Sequence, residues 1–180
     1  MPRYVAFLGS VNVGGNRATM AELRAALTEA GFADVATVTA SGNVLFDHPA
    51  APDADLAARV GEVVAARFGF RTFAAVRMAE EVAAGIADNP FAADGAPNLV
   101  HTLFLDGPLT ADGFARLAAD HRGRERLARG DRALFVDYVD GAGTSKLTKT
   151  FIEKRIGRQG TARNLRSLAR IHAVMTQADR

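Results

Sequence analysis

With 180 residues, 19.0 kDa, no cysteine and a formal net charge of +2, the chain is long enough for one large domain or two small packed ones. Disulfides, thiolate metal sites and a cysteine nucleophile are excluded, and 48% hydrophobic against 23% charged residues argues against long-range disorder. No basic N-terminal segment leads into an apolar core, and no apolar run nears the ~20 residues of a membrane span, so a cytoplasmic protein without a membrane partner is expected.

Tyr4 to Leu8 reads as a short apolar strand, followed by the glycine-rich run Gly9 to Asn16 (GSVNVGGN). Such a turn between strand and helix offers backbone N–H groups to an anion or allows another backbone close approach. Thr19 with Glu22 three residues on is a capping-box signature, Met20, Leu23 and Leu27 recur at helical spacing, and Gly31-Phe32 stops the helix. Val35 to Thr39 and Val44 to Phe46 read as β-runs joined through Ala40 to Asn43, either a hairpin or one bulged strand. After Pro49 and Pro52, a helix capped by Asp53 carries Leu56, Val60, Val64 and Phe68 and ends at Gly69. Arg71 to Arg77 alternates as a further strand.

A short helix (79–87) and a stretch punctuated by Pro and Gly through residue 97 form a helical linker. The order then restarts: a strand at 99–105, a helix capped by Thr110, a strand pair around Gly130-Asp131, and a helix opened by Ser145 and stopped at Gly157. Thr161 to Asn164 leads into a last helix through about Gln177. The reading is α+β, two tandem ferredoxin-like β-α-β-β-α-β units packed together with an extra C-terminal helix. The boundaries are 1–78, a linker at 79–97, and 98–180, with one compact domain as the alternative. In this topology strands one and two run parallel, so the glycine turn and the following hairpin emerge at one end of the sheet. Asn12, Gly14 and Gly15 are therefore expected near Ser41 and Asn43.

The chemistry-bearing patterns are few. Gly9 and Gly14 have half of a P-loop spacing, but Gly15-Asn16 stands where Lys-Ser/Thr is required. His48, His101, His121 and His172 lack ligand spacing, no serine lies in a nucleophile elbow, and Ser41 to Asp47 does not match an RNA-recognition strand. Asp120-His121-Arg122 are neighbours that share no helix face. Positive charge concentrates after residue 144, where only Glu153 and Asp179 offset the lysines and arginines. Arg163, Arg166 and Arg170 fall at spacings of three and four, reading as one basic helical stripe, with Leu165, Leu168, Ile171 and Met175 as its apolar counterpart. Lys146 and Lys149 add charge near the start of the preceding helix, where the macrodipole does not favour it.

Collinear motifs over nearly the whole chain carry a family resemblance: AFLGSVNVGG (6–15), SGNVLF (41–46), NPF (89–91), VHTLFLDGP (100–108), DGAGTSKL (140–147) and TARN (161–164). The chain resembles the bacterial domain-of-unknown-function family 1697, which is similar to pairs of ferredoxin-like units and brings no established activity or cofactor. It departs from the family pattern at Gly9-Ser10, where an Arg-Gly pair is common, and at Leu165, where tryptophan is usual. The leading expectation is a binding protein for an anionic ligand, either nucleic acid or a phosphorylated small molecule. Asn12, Gly14, Gly15, Ser41 and Asn43 would supply neutral hydrogen bonds; Lys146, Lys149, Arg163, Asn164, Arg166 and Arg170 would supply charge and polarity. An interaction scaffold, or a small metal-independent enzyme acting on a polar substrate, are the alternatives. No cofactor and no metal are expected.

Overall fold

Two four-stranded antiparallel sheets, each with its own helices, carry the chain in the computed structural model, which describes residues 1–39 and 42–177. The first unit comprises residues 1–82 and the segment from Arg170 onward; the second comprises residues 83–169.

In the first unit β1 (Arg3–Gly9), α1 (Met20–Glu29), β2 (Ala33–Val38), β3 (Asn43–Asp47), α2 (Asp53–Phe68) and β4 (Phe73–Met78) build a sheet of order β2-β3-β1-β4. Alternation along β1 decides its faces. Tyr4, Ala6 and Leu8 join Leu23, Leu27, Leu56, Val60 and Val64 in the core beneath the helices, while Val5 and Phe7 on the opposite face are equally inaccessible. Each such apolar side chain contributes about 1.5–3 kcal/mol. The capping box is present: Glu22 N donates to Thr19 Oγ1 (3.1 Å) and Thr19 N donates to Glu22 Oε2 (2.9 Å). These bonds hold the Glu22 carboxyl below its ordinary value, the Thr19 backbone N–H first. The cap of α2 differs from expectation. Pro52 occupies it with no side-chain bond, and Asp53 is the first helical residue, where its charge meets the positive end of the macrodipole instead. β2 and β3 form a hairpin, with an irregularity between Ala33 and Ala36.

The second unit repeats the plan. After α3 (Ala79–Ala87) come β5 (Val100–Leu105), α4 (Ala111–Asp120), β6 (Arg126–Gly130), β7 (Ala133–Asp137), a 3-10 turn at Ala142–Thr144, α5 (Lys149–Ile156), β8 (Gly160–Asn164) and α6 (Leu165–Gln177), with sheet order β6-β7-β5-β8. Leu103, Leu105, Leu117, Leu134, Val136, Ile152 and Ile156 form its core. Ser145 does not open α5: Thr148 does, its Oγ1 accepting from Phe151 N at 3.2 Å, while Ser145 closes the 3-10 turn. Arg163 does not lie on the last helix. It belongs to β8, opposite Thr102, and α6 begins only at Leu165. The three-arginine stripe therefore reduces to Arg166 and Arg170, because a buried strand takes up the residues before them. The apolar stripe of α6 is present, with Leu165, Leu168, Ile171 and Met175 all buried.

The repeat extends to register. Leu8 N donates to Gly42 O (2.9 Å) and Leu105 N to Arg132 O (3.0 Å), each tying the first strand of its unit to the hairpin turn. Counting back three residues from each leucine reaches Val5 and Thr102, whose partners are Arg77 and Arg163, both buried. Asp47 and Asp137 likewise end equivalent strands. A helix follows the fourth strand in both units, α3 directly after Met78 and α6 directly after Asn164. The later part of α3 packs on β5, where Thr102 Oγ1 donates to Gly85 O at 2.7 Å. The later part of α6 belongs to the first unit, where Met175 shares a small cavity with Arg3 and Met78.

Candidate functional site

In the first unit the glycine loop and the hairpin do meet at one end of the sheet. Beyond the Leu8–Gly42 bond, a Cβ on Gly42 would lie 3.2 Å from Leu8 Cβ and 3.7 Å from Val11 Cβ. The loop's polar groups, however, are turned on the loop itself. Asn12, at φ +59, donates its N–H to Asn16 O (2.7 Å) and accepts from Ala18 N at Oδ1 (3.1 Å). Asn16 Nδ2 donates to Ser10 O (3.0 Å). Gly14 and Gly15 are exposed, and a Cβ on either meets nothing within 4 Å. Asn43 is fully buried and donates to Val38 O (3.1 Å) and Thr39 Oγ1 (3.0 Å), closing the hairpin from inside. Ser41 lies outside the described residues.

In the second unit two adjoining clefts open on either side of Arg122 and Lys146. The larger, about 300 Å³, is walled by the polar residues Arg124, Glu125, Asp140, Thr144 and Ser145 and two glycines as well as those two cations. The smaller, about 140 Å³, is walled by Asp120, His121, Leu147 and Phe151 together with Arg122 and Lys146. What places these groups is one carboxylate. Glu125 Oε1 accepts from Ser145 Oγ at 2.5 Å and its Oε2 lies 3.0 Å from His121 Nε2, with both the His121 and Glu125 side chains only 13% exposed. Ser145 Oγ also accepts from Leu147 N at 3.0 Å, so the loop is clamped on both sides of Lys146. The Ser145 hydroxyl, ahead of the other contacts, holds the Glu125 carboxyl below its ordinary 4.5. An ionised carboxylate only accepts, so His121 presents its Nε2 proton to it. Gly123 is required here: at φ +151, a Cβ on it would stand 2.3 Å from Glu125 Oε2.

This order of groups has a chemical consequence. In a serine hydrolase the imidazole lies between serine and carboxylate and takes the hydroxyl proton. Here the carboxylate lies in the middle, and the serine proton is directed at it. The trio holds a loop and does not activate Ser145. The cations are unequally committed. Arg124 is neutralised by Asp140 at 2.9 and 3.1 Å. Arg122 Nη1 donates to the carbonyls of Ala119 (2.6 Å) and His121 (2.9 Å) and meets no carboxylate among the described residues. Among the described residues the Lys146 ammonium makes no hydrogen bond or ion pair. Lys149, the first residue of α5, reaches Glu153 at 3.9 Å.

The remaining expected residues lie elsewhere. Arg163 is 9% exposed, its Nη1 donating to Thr161 Oγ1 and Ala162 O at 2.9 Å each. Burial pulls its guanidinium down to about 10, still charged at neutral pH. Asn164 caps α6, its Oδ1 accepting from Ser167 N at 2.8 Å. Arg166 and Arg170 are exposed on α6. Among the candidates read from sequence, only Lys146 therefore lines a cleft with an uncommitted charge. Arg122, Arg124 and Glu125 were missed; the spacing of four between His121 and Glu125 was the available signal, but it lies past the end of α4. Among the described residues no group of three or more His, Asp or Glu side chains could hold a metal ion, and no helix is long and apolar enough to cross a membrane.

The family described as "Protein of unknown function (DUF1697)" matches residues 1–135. No curated protein matches the chain. Among solved structures, the conserved bacterial protein SP0830 from Streptococcus pneumoniae is similar over 98% of this chain and 99% of its own, with a TM-score of 0.75 at 23% identity. That likeness is one of fold.

Proposed function

The chain belongs to the DUF1697 family of proteins of unknown function; from the geometry of the second unit we propose that it binds an anionic ligand, the cleft around Lys146 receiving a phosphate group. The observation that carries this reading is the pair Arg122 and Lys146, two cations without a carboxylate partner among the described residues, facing a polar cleft. The hydroxyl of Thr144 and the backbone of Gly141 supply neutral polar groups beside them. A phosphate oxygen accepts from ammonium and guanidinium through charge-assisted bonds, stronger than neutral ones. The Glu125 clamp holds the lysine's loop before any ligand arrives, so little ordering entropy is lost on binding.

The magnitude is modest. Two charge-assisted contacts at about 2 kcal/mol each give about 4 kcal/mol, a Kd on the order of 1 mM for inorganic phosphate. Titration of the full chain with phosphate to about 20 mM, followed by amide chemical shifts, tests this directly. The expected result is saturable shifts at residues 122–125 and 141–147 that vanish in Lys146→Ala, with an unchanged melting temperature. Shifts that are absent from these segments, or that persist in the variant, would overturn the proposal.

A further inference from the structure

We infer that the ligand is a phosphate monoester of a planar, ring-bearing group, of the kind a nucleoside 5′-monophosphate represents; this rests on the phosphate reading above. The two clefts differ in kind and share a boundary. On one side of Arg122 and Lys146 lie Thr144, Ser145 and Arg124; on the other lie Leu147, Phe151 and the His121 ring. A ligand seated at the shared cations with its phosphate in the polar cleft has an apolar recess directly beside it. At about 140 Å³ that recess suits one small ring system and not a long chain. His121 is held by Glu125 at 3.0 Å and the Phe151 ring carries the Arg155 guanidinium at 3.5 Å, so both rings stand fixed before binding. Preorganised rings bind a planar group at low entropic loss.

The pattern of charge separates such a ligand from a nucleic-acid strand. A polymer needs successive phosphates met by successive unpaired cations. The cations next to the clefts are already paired: Arg124 with Asp140, Arg155 with Asp120 at 3.0 Å, and Lys149 with Glu153. Asp140 walls the polar cleft and Asp120 the recess, each paired with its arginine, so a strand leaving the site meets no further unpaired cation there. One phosphate is accommodated, and the chain of contacts stops there.

The test is calorimetric titration of the full chain with AMP, ribose 5-phosphate, inorganic phosphate and adenosine, with Lys146→Ala and Phe151→Leu as variants. AMP is expected to bind at least about fivefold more tightly than ribose 5-phosphate, the smaller end of what stacking one base contributes. Lys146→Ala should abolish binding of every phosphate, and Phe151→Leu should bring AMP down to the level of ribose 5-phosphate while leaving the latter unchanged. Equal affinity for AMP and ribose 5-phosphate overturns the ring assignment and leaves the phosphate reading intact. No binding by any phosphate overturns both. A single-stranded oligonucleotide that binds more tightly than AMP, with a salt slope of several phosphates, replaces the small ligand with a polymer.

Discussion

Replacing Glu125 by glutamine keeps the shape of the clamp and removes its charge. In the native chain the carboxylate accepts from Ser145 at 2.5 Å and from His121 at 3.0 Å, in a position only 13% exposed, so solvent does little to screen either bond. Glutamine still offers one oxygen to the serine, but its amide nitrogen must face the other partner. Charge-assisted bonds are roughly twice as strong as neutral ones, so about half of two bonds of about 1.5–3 kcal/mol is lost, a destabilisation of about 1.5–3 kcal/mol. For a chain of this size that lowers the melting temperature by roughly 3–10 °C. The pH dependence gives the sharper check. Because the native carboxyl ionises below its ordinary 4.5, its contribution is complete above that value and is lost as pH falls through the lower native value. Urea unfolding of Glu125→Gln and the parent chain should therefore differ at pH 7, and the difference should shrink as pH falls below 4.5. A difference below about 0.5 kcal/mol at pH 7, or one that does not shrink at all as pH falls from 4.5 towards about 2, would refute the clamp.

Three glycines separate two kinds of constraint, and the same unfolding measurement ranks them. Gly95→Ala places a Cβ 2.3 Å from Val100 Cγ2 and 2.7 Å from the Phe91 carbonyl oxygen and should destabilise by about 2–3 kcal/mol. Gly14→Ala meets no atom but sits at φ +63, for an expected loss of about 1–2 kcal/mol. Gly15→Ala has neither constraint and should stay within about 0.5 kcal/mol; a different ranking would contradict the backbone described above. Asn43→Ala leaves the Val38 carbonyl without its buried donor, for a loss of about 1–3 kcal/mol. It should leave the phosphate-induced shifts around Lys146 unaltered; loss of those shifts in a folded Asn43→Ala protein would return the hairpin to the ligand site.

The architecture was legible because its signals are local. Thr19 and Thr110 cap helices through residues three positions away, Gly69 and Gly157 end them at positive φ, and alternation marks most strands. β8 was the exception. Its five residues carry a glycine and a single apolar side chain, Ala162, too little for the alternation from which a strand is read. Arg163 was accordingly carried onto the helix that follows. The site was harder for a related reason. Lys146 stands out in a sequence, but what makes it useful is Glu125, twenty-one residues earlier and beyond the end of α4. Its bond to Ser145 depends on how β6 and β7 bring two loops together. The same holds for Asn12 and Asn43: their residue types mark a turn, and only the geometry shows their polar atoms turned inward on the chain.

Residues 1–82 do not complete the first unit; its last piece is the later part of α6, with Ile171 and Met175 fully or nearly buried. During synthesis the ribosome must pass the whole second unit before that piece exists. At about 5–20 residues per second, the N-terminal sheet waits roughly 5–20 s for it. Throughout that interval the earlier-made half is the unfinished one, while residues 83–169 are contiguous and can settle as soon as they emerge. The order of maturation is then the reverse of the order of translation, and a chain stopped near residue 169 would carry its defect at the opposite end of the sequence from the cut.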